Sequence, residues 1–143
     1  MLIGEFNHTI DSKGRVIMPV KFRETLGESF FVTKGLDNCL QVMDEKEWNK
    51  FSESFISAPY VDPDARKFTR FMFAGATDVE VDKQGRILIP QNLREYAGLT
   101  KDVVLVGIYN KVEIWSKERW DAANENIDIA QISQHMQTLG LGI

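Results

Sequence analysis

With 143 residues, 43% of them hydrophobic, the chain has enough apolar material for one compact domain or two small ones sharing a core. Its net charge of −4 lacks the overall basic balance usual in nucleic-acid binders, so any such surface must be local. Cys39 is the one cysteine, which excludes an intramolecular disulfide, and with only His8 and His135 beside it there is no ligand set for zinc. No metal and no cofactor is therefore expected.

No apolar run approaches the roughly 18 residues that a bilayer span needs. The chain starts Met-Leu-Ile-Gly-Glu, with neither the basic nor the apolar stretch of an export signal, so a cytoplasmic, membrane-free protein is expected.

In chain order, Ile3 to Ile10 reads as a strand with Gly4, Phe6, His8 and Ile10 on one face. Asp11 can bond the backbone two residues on and open a turn, in which Gly14 supplies the positive φ of a short hairpin loop. Val16-Ile17-Met18 is apolar at every position, as expected of a strand buried on both faces. Pro19 fits the first turn of a helix carrying Phe22 and Leu26, and Gly27 fits just past its end. Two strands follow, 31–35 and 40–43, around a tight turn at Asp37-Asn38. Asp44 then N-caps a helix, with Met43 and Trp48 in the staple positions. Trp48, Phe51 and Phe55 continue at helical spacing, and Asp62-Pro63 starts another helix by cap and first-turn chemistry. This helical pair reads as structural, packing the halves or a neighbouring subunit, with Arg66, Lys67 and Arg70 on a solvated face.

The whole pattern then recurs. Asp11 to Gly27 returns as Asp82 to Gly98 at a constant offset of 71, with Asp, Gly, Arg, Pro, Arg, Glu and Gly coinciding. Gly85 takes the place of Gly14, Ile87-Leu88-Ile89 that of Val16-Ile17-Met18, and Pro90 that of Pro19. One inserted residue later, strands at 103–107 and 112–115 mirror the earlier pair, and Ser116 caps a helix holding Trp120. Both tryptophans read as core. At the end, Ile129, Ile132, Met136 and Leu139 form the stripe of an amphipathic helix that docks on the core or on a neighbour. The acidic excess lies away from the repeated motif: residues 36–75 hold five Lys/Arg against seven Asp/Glu, and residues 102–143 three against six. A local positive face is permitted.

Folding accounts for most of the shared positions. It leaves Asp11 with Arg15, Asp82 with Arg86, and the turn lysines Lys13 and Lys83. Two readings of Arg15 and Arg86 stand side by side: an ion pair across the hairpin, or a planar fork for phosphate or guanine. They are compatible, because a carboxylate can orient the arginine that binds. A pair of catalytic aspartates across a pseudo-twofold is disfavoured, since each carboxylate stands beside cations that keep it ionised. There is no phosphate loop and no nucleophile elbow, so no catalytic residue and no small-molecule substrate is expected.

The doubled pattern Asp-x-x-Gly-Arg-(apolar)3-Pro-x3-Arg-x3-Gly resembles the swapped-hairpin units of AbrB/MazE-like regulators and antitoxins. Two such units in one chain, after a Gly-Glu-Phe-x-His-x-Ile-Asp start, resemble the MraZ family over essentially the whole length. The resemblance implies an α+β fold: a duplicated swapped-hairpin β-barrel of two pseudo-symmetric repeats with flanking helices. Its implied organisation is a first repeat at 5–47, a helical connector at 48–75, a second repeat at 76–119 and a C-terminal helical tail at 120–143. It implies a nucleoid-associated, sequence-specific DNA-binding transcriptional regulator of the bacterial cell-division and cell-wall gene cluster, its own gene included. The partners implied are double-stranded DNA with repeated sites and further copies of the chain in a ring-shaped homo-oligomer, where avidity offsets weak single contacts. By position, Arg15 and Arg86 carry the DNA contact and Asp11 and Asp82 orient them. Lys13 and Lys83 are placed there only by their position in the turns, and Gln84 stands where the first copy has Lys13. The alternative is an antitoxin-like protein-interaction module whose DNA binding is incidental.

Overall fold

Each repeat builds the same succession of elements in the computed structural model, which describes residues 1–142; Ile143, the last residue of the expected tail, lies outside them. The first comprises β1 (Leu2–Thr9), β2 (Arg15–Ile17), α1 (Val20–Leu26), β3 (Ser29–Lys34), β4 (Leu40–Met43) and α2 (Glu45–Ile56). The connecting helix α3 (Pro63–Ala74) leads to β5 (Thr77–Glu80), β6 (Arg86–Leu88), α4 (Gln91–Ala97), β7 (Asp102–Tyr109), β8 (Val112–Ser116), α5 (Lys117–Asn124) and α6 (Ile129–Thr138).

Local chemistry sets most of these boundaries. The Asp44 carboxylate accepts from the Glu47 amide at 2.8 Å, Asp62 from the Asp64 and Ala65 amides, and Ser116 Oγ from the Arg119 amide. Each cap satisfies donors that the first helical turn leaves over. Pro19 and Pro90 sit one position earlier than expected, as the N-cap residues of α1 and α4. Their carbonyls accept the first helical bonds, from Phe22 and Arg23 in one repeat and Leu93 and Arg94 in the other. The counterpart of β1 in the second repeat is only four residues long, because α3 runs through Ala74 and β5 begins at Thr77.

The repeats exchange strands. One antiparallel sheet runs β1-β7-β8-β4-β3-β5, and β2 pairs with β6 in a separate two-stranded ladder. β1 pairs with β7 from Leu2↔Tyr109 to Thr9↔Asp102, and β5 pairs with β3 from Ser29↔Glu80 to Val32↔Thr77. The first strand of each unit therefore lies on the other unit. The expected closed barrel is not found: β1 and β5 remain the edges of the large sheet. Strand pairing gives the physical reason: β1 bonds to β7 and β5 to β3, so no ladder joins the two edges, and the β2–β6 ladder stays apart and short. β2 and β6 are three residues long, each is followed two residues on by Pro19 or Pro90, and a proline offers no N–H to extend a ladder.

Between sheet and ladder lies a shared core, with Val16, Met18, Phe22, Phe30 and Leu40 from one repeat and Ile87, Ile89, Leu93, Leu105 and Ile114 from the other all fully or almost fully buried. The α2–α3 pair packs on β3 through aromatic contacts. Trp48 stacks on Phe31 with centroids 5.1 Å apart and meets Phe51 and Phe73. Trp120 meets Trp115 edge to face at 5.4 Å, the staple geometry of α5. Both tryptophans are structural, as expected. The α6 stripe behaves differently: Ile129, Ile132 and Leu139 are exposed, so it does not dock on the core of its own chain. Among the described residues no helix is long and apolar enough to cross a membrane.

Candidate nucleic-acid interface

The two D-x-x-G-R turns adopt one geometry. Asp11 Oδ1 accepts from the amides of Lys13 (3.0 Å) and Arg15 (2.8 Å), while Oδ2 accepts from Arg15 Nε at 2.7 Å. In the second turn Asp82 Oδ1 accepts from Gln84 and Arg86 and Oδ2 from Arg86 Nε, each at 2.9 Å. A single carboxylate thus folds the turn with one oxygen and aims the arginine with the other. These bonds hold both carboxyls below the ordinary carboxylate range; the Arg15 and Arg86 amides contribute most, followed by their guanidinium groups and then the Lys13 and Gln84 amides. Burial acts in the opposite direction and is outweighed. Because the aspartates engage Nε, the two terminal nitrogens of Arg15 and of Arg86 have no hydrogen-bond partner among the described residues.

Pairing of β2 with β6 brings the two arginines together. The register is Arg15↔Leu88, Val16↔Ile87 and Ile17↔Arg86. Directly opposed residues share a face, so Arg15, Leu88, Ile17 and Arg86 lie outward while Val16 and Ile87 point into the core. This corrects one expectation: the apolar runs are not buried on both faces. Val16 and Ile87 are each 1% exposed, but Ile17 and Leu88 are 42% and 56% exposed. Among the described residues, no element covers the outer face of the ladder.

Gly14 and Gly85 take φ of +87° and +81°, the left-handed region expected of them. Their carbonyls also serve the opposite repeat, Gly85 accepting from the Met18 amide at 2.9 Å and Gly14 from the Ile89 amide at 2.8 Å. Each turn is hydrogen-bonded to the strand that follows the other's. Lys13 and Lys83 are exposed at the tips.

Two cations escape the sequence reading. Arg23 Nε donates to the Met18 carbonyl and Arg94 Nε to that of Ile89, both at 3.0 Å, and these guanidiniums lie against Gly85 and Gly14 of the opposite repeat. Neither has a carboxylate ion-pair partner among the described residues. Their recurrence at the offset of 71 was the available signal, but a position on a short helix reads as solvated unless the cross-repeat packing is known. The ladder and its turns therefore gather Arg15, Arg86, Arg23, Arg94, Lys13 and Lys83 against Asp11 and Asp82. A chain of net charge −4 thus concentrates six cations around one ladder.

A duplicated α+β protein with paired, carboxylate-oriented arginines on the outer face of a two-stranded ladder is the class that fold and site define. The model of the family described as "MraZ protein, putative antitoxin-like" matches twice, at residues 1–71 and 72–141. Relatives named transcriptional regulator MraZ are 54% identical in Acetivibrio thermocellus (99% of this chain, 100% of the relative) and 60% identical in Desulforamulus reducens (87% of each). A third, from Clostridium tetani, is 52% identical over 99% of this chain and 100% of its own length. The chain belongs to the MraZ family.

Proposed function

We propose that this chain is a sequence-specific, DNA-binding transcriptional regulator that lays its β2–β6 ladder against double-stranded DNA, with Arg15 and Arg86 as the reading groups. One observation carries the reading: two carboxylates fix two guanidiniums on one uncovered face, each with its terminal nitrogens free. A planar fork held in this way suits the bidentate edge of guanine or a phosphate and loses little side-chain entropy on binding. Asp11 and Asp82 are the orienting groups, and Lys13 and Lys83 add phosphate contacts from the turns. Gln84 stands where the first turn has Lys13, and Lys83 lies one position earlier, so the two turns carry equal charge but place their lysines differently. The exchange of strands between units is, on this reading, the intramolecular form of a swapped-hairpin DNA-binding unit.

The regulated genes are the cell-division and cell-wall cluster, the chain's own gene among them, and the working form is a nucleoid-associated ring meeting repeated sites. The exposed α6 stripe supports self-assembly, since Ile129, Ile132 and Leu139 stay largely uncovered among the described residues. The same stripe supports the second reading, a protein-interaction module of antitoxin type.

The test is an electrophoretic shift on the DNA upstream of the chain's own gene, at two salt concentrations, with particle mass measured alongside. Arg15→Ala with Arg86→Ala should leave the mass unchanged and abolish the shift. Unchanged binding by the double variant would sink the arginine reading. Recovery of a stoichiometric protein partner, with no protection of DNA, would put the second reading first.

A further inference from the structure

Ile17 and Leu88 are accounted for neither by folding nor by the arginines. Their neighbours Val16, Met18, Ile87 and Ile89 fill the core, whereas these two branched aliphatic side chains, at opposite ends of the ladder, are left about half exposed on its outer face. The register makes the outer face a small square: Arg15 opposite Leu88, Ile17 opposite Arg86, with the cations on one diagonal and the aliphatic groups on the other. A solvated three-residue strand has no need of an apolar residue at that position.

Resting on the DNA reading above, we infer that Ile17 and Leu88 are specificity residues that contact the 5-methyl groups of thymines beside the base pairs reached by Arg15 and Arg86. The major groove, about 12 Å wide, admits a two-stranded β-ribbon, and the thymine methyl is the apolar feature on its floor. Opposed side chains on a ladder stand about 5 Å apart, so each aliphatic group falls within a base step or two of an arginine. Phosphates and sugars offer it nothing comparable. A second copy of the chain fits this face poorly, because face-to-face pairing would oppose Arg15, Arg86, Lys13 and Lys83 with their own likeness. The patch is also far smaller than the roughly 1,000 Å² of a stable protein interface.

The full-length chain is titrated with its own upstream DNA made either with thymine or with deoxyuridine throughout, at one salt concentration. Removing a methyl should weaken binding about fourfold for each one contacted. Ile17→Ala with Leu88→Ala should bind both DNAs alike, with unchanged particle mass. The wild-type comparison needs no variant and so stands whatever the variant does. Equal affinity of the wild-type chain for the two DNAs would overturn the inference while leaving arginine-dependent binding in place, and so would a double variant that keeps the thymine preference. Loss of particle mass in that variant would assign the pair to a subunit contact instead. A wild-type chain that binds neither DNA would remove the DNA reading and this inference together.

Discussion

Arg94 of the second repeat lies against Gly14 of the first. Its Nε donates to the Ile89 carbonyl at 3.0 Å, and a Cβ added to Gly14 would stand 2.7 Å from that nitrogen and 2.9 Å from the Ile89 oxygen. At Gly85 the corresponding atoms belong to the flexible end of Arg23 and lie 3.2 Å away. The pseudo-symmetry of the turns is therefore imperfect at the point where they touch the other repeat.

An unequal response to alanine follows. Either substitution forces a side chain into the left-handed region, at a cost of about 1–3 kcal/mol. Gly14→Ala should lie at the upper end or beyond, since it also meets a backbone oxygen, and Gly85→Ala at the lower end. Urea unfolding of the two single variants measures the difference. Equal midpoints would show that Arg94 yields as readily as Arg23.

The orientation of the arginines should survive mild acid. A carboxyl whose pKa is lowered on folding contributes stability that is fully present above its unfolded value, 3.8, and is lost only as pH falls through the lower folded value. The Asp11–Arg15 and Asp82–Arg86 pairs should therefore persist unchanged from pH 8 to pH 5. Arginine Nε–H resonances followed by NMR across that range would report it, and a titration near pH 5 to 6 would contradict it.

Lysines and arginines should differ in the kind of binding they support. Lys13→Ala and Lys83→Ala are expected to weaken DNA binding evenly across sequences and to reduce the salt slope by about 1 each. Arg15→Ala should instead flatten the preference for the repeat-bearing sequence over an unrelated one. Salt titrations on both DNAs separate the two effects.

Cys39 should be silent towards thiol reagents in the native protein. Burial, reinforced by the nearby Glu113 carboxylate, pushes its thiol up to about 12 from an ordinary 9.0, so almost no thiolate exists near neutrality. The unfolded chain ionises first as pH rises past 9, so this thiol favours the folded state less and less above that point. Labelling with a chromogenic disulfide at pH 8 should be slow natively and rapid in denaturant.

Removing α6 after Asp128 should leave the urea midpoint nearly unchanged, because three of the four residues of its stripe, Ile129, Ile132 and Leu139, are exposed and none belongs to the buried core. The particle mass should fall. A large loss of stability at constant mass would instead show that α6 supports the fold of its own subunit.

Elements governed by neighbouring residues could be read from the sequence. Asp44, Asp62 and Ser116 cap their helices, and Gly27 and Gly98 terminate α1 and α4, because caps act over three or four residues. Ile17 and Leu88 misled because an all-apolar triplet has no alternation, so nothing marks which side faces water. Arg23 and Arg94 were visible as repeated letters, but what they touch depends on the opposite repeat. The open sheet was hidden for a similar reason: whether β1 and β5 meet depends on pairing partners chosen far along the chain.

Strand exchange also dictates the order in which the molecule can be completed. β1 finds its partner in β7, with Leu2 opposite Tyr109, so the first strand synthesised waits for more than a hundred residues before its ladder can close. A ribosome-bound chain ending near residue 75 holds β1 and β2 without the β6 and β7 they pair with, and β3 without β5. Long-range pairing of this kind slows folding and leaves strand edges open to the wrong neighbour. For a protein whose two halves each supply the other's missing strand, neither half is a folding unit, and a truncated message yields a chain poised to aggregate.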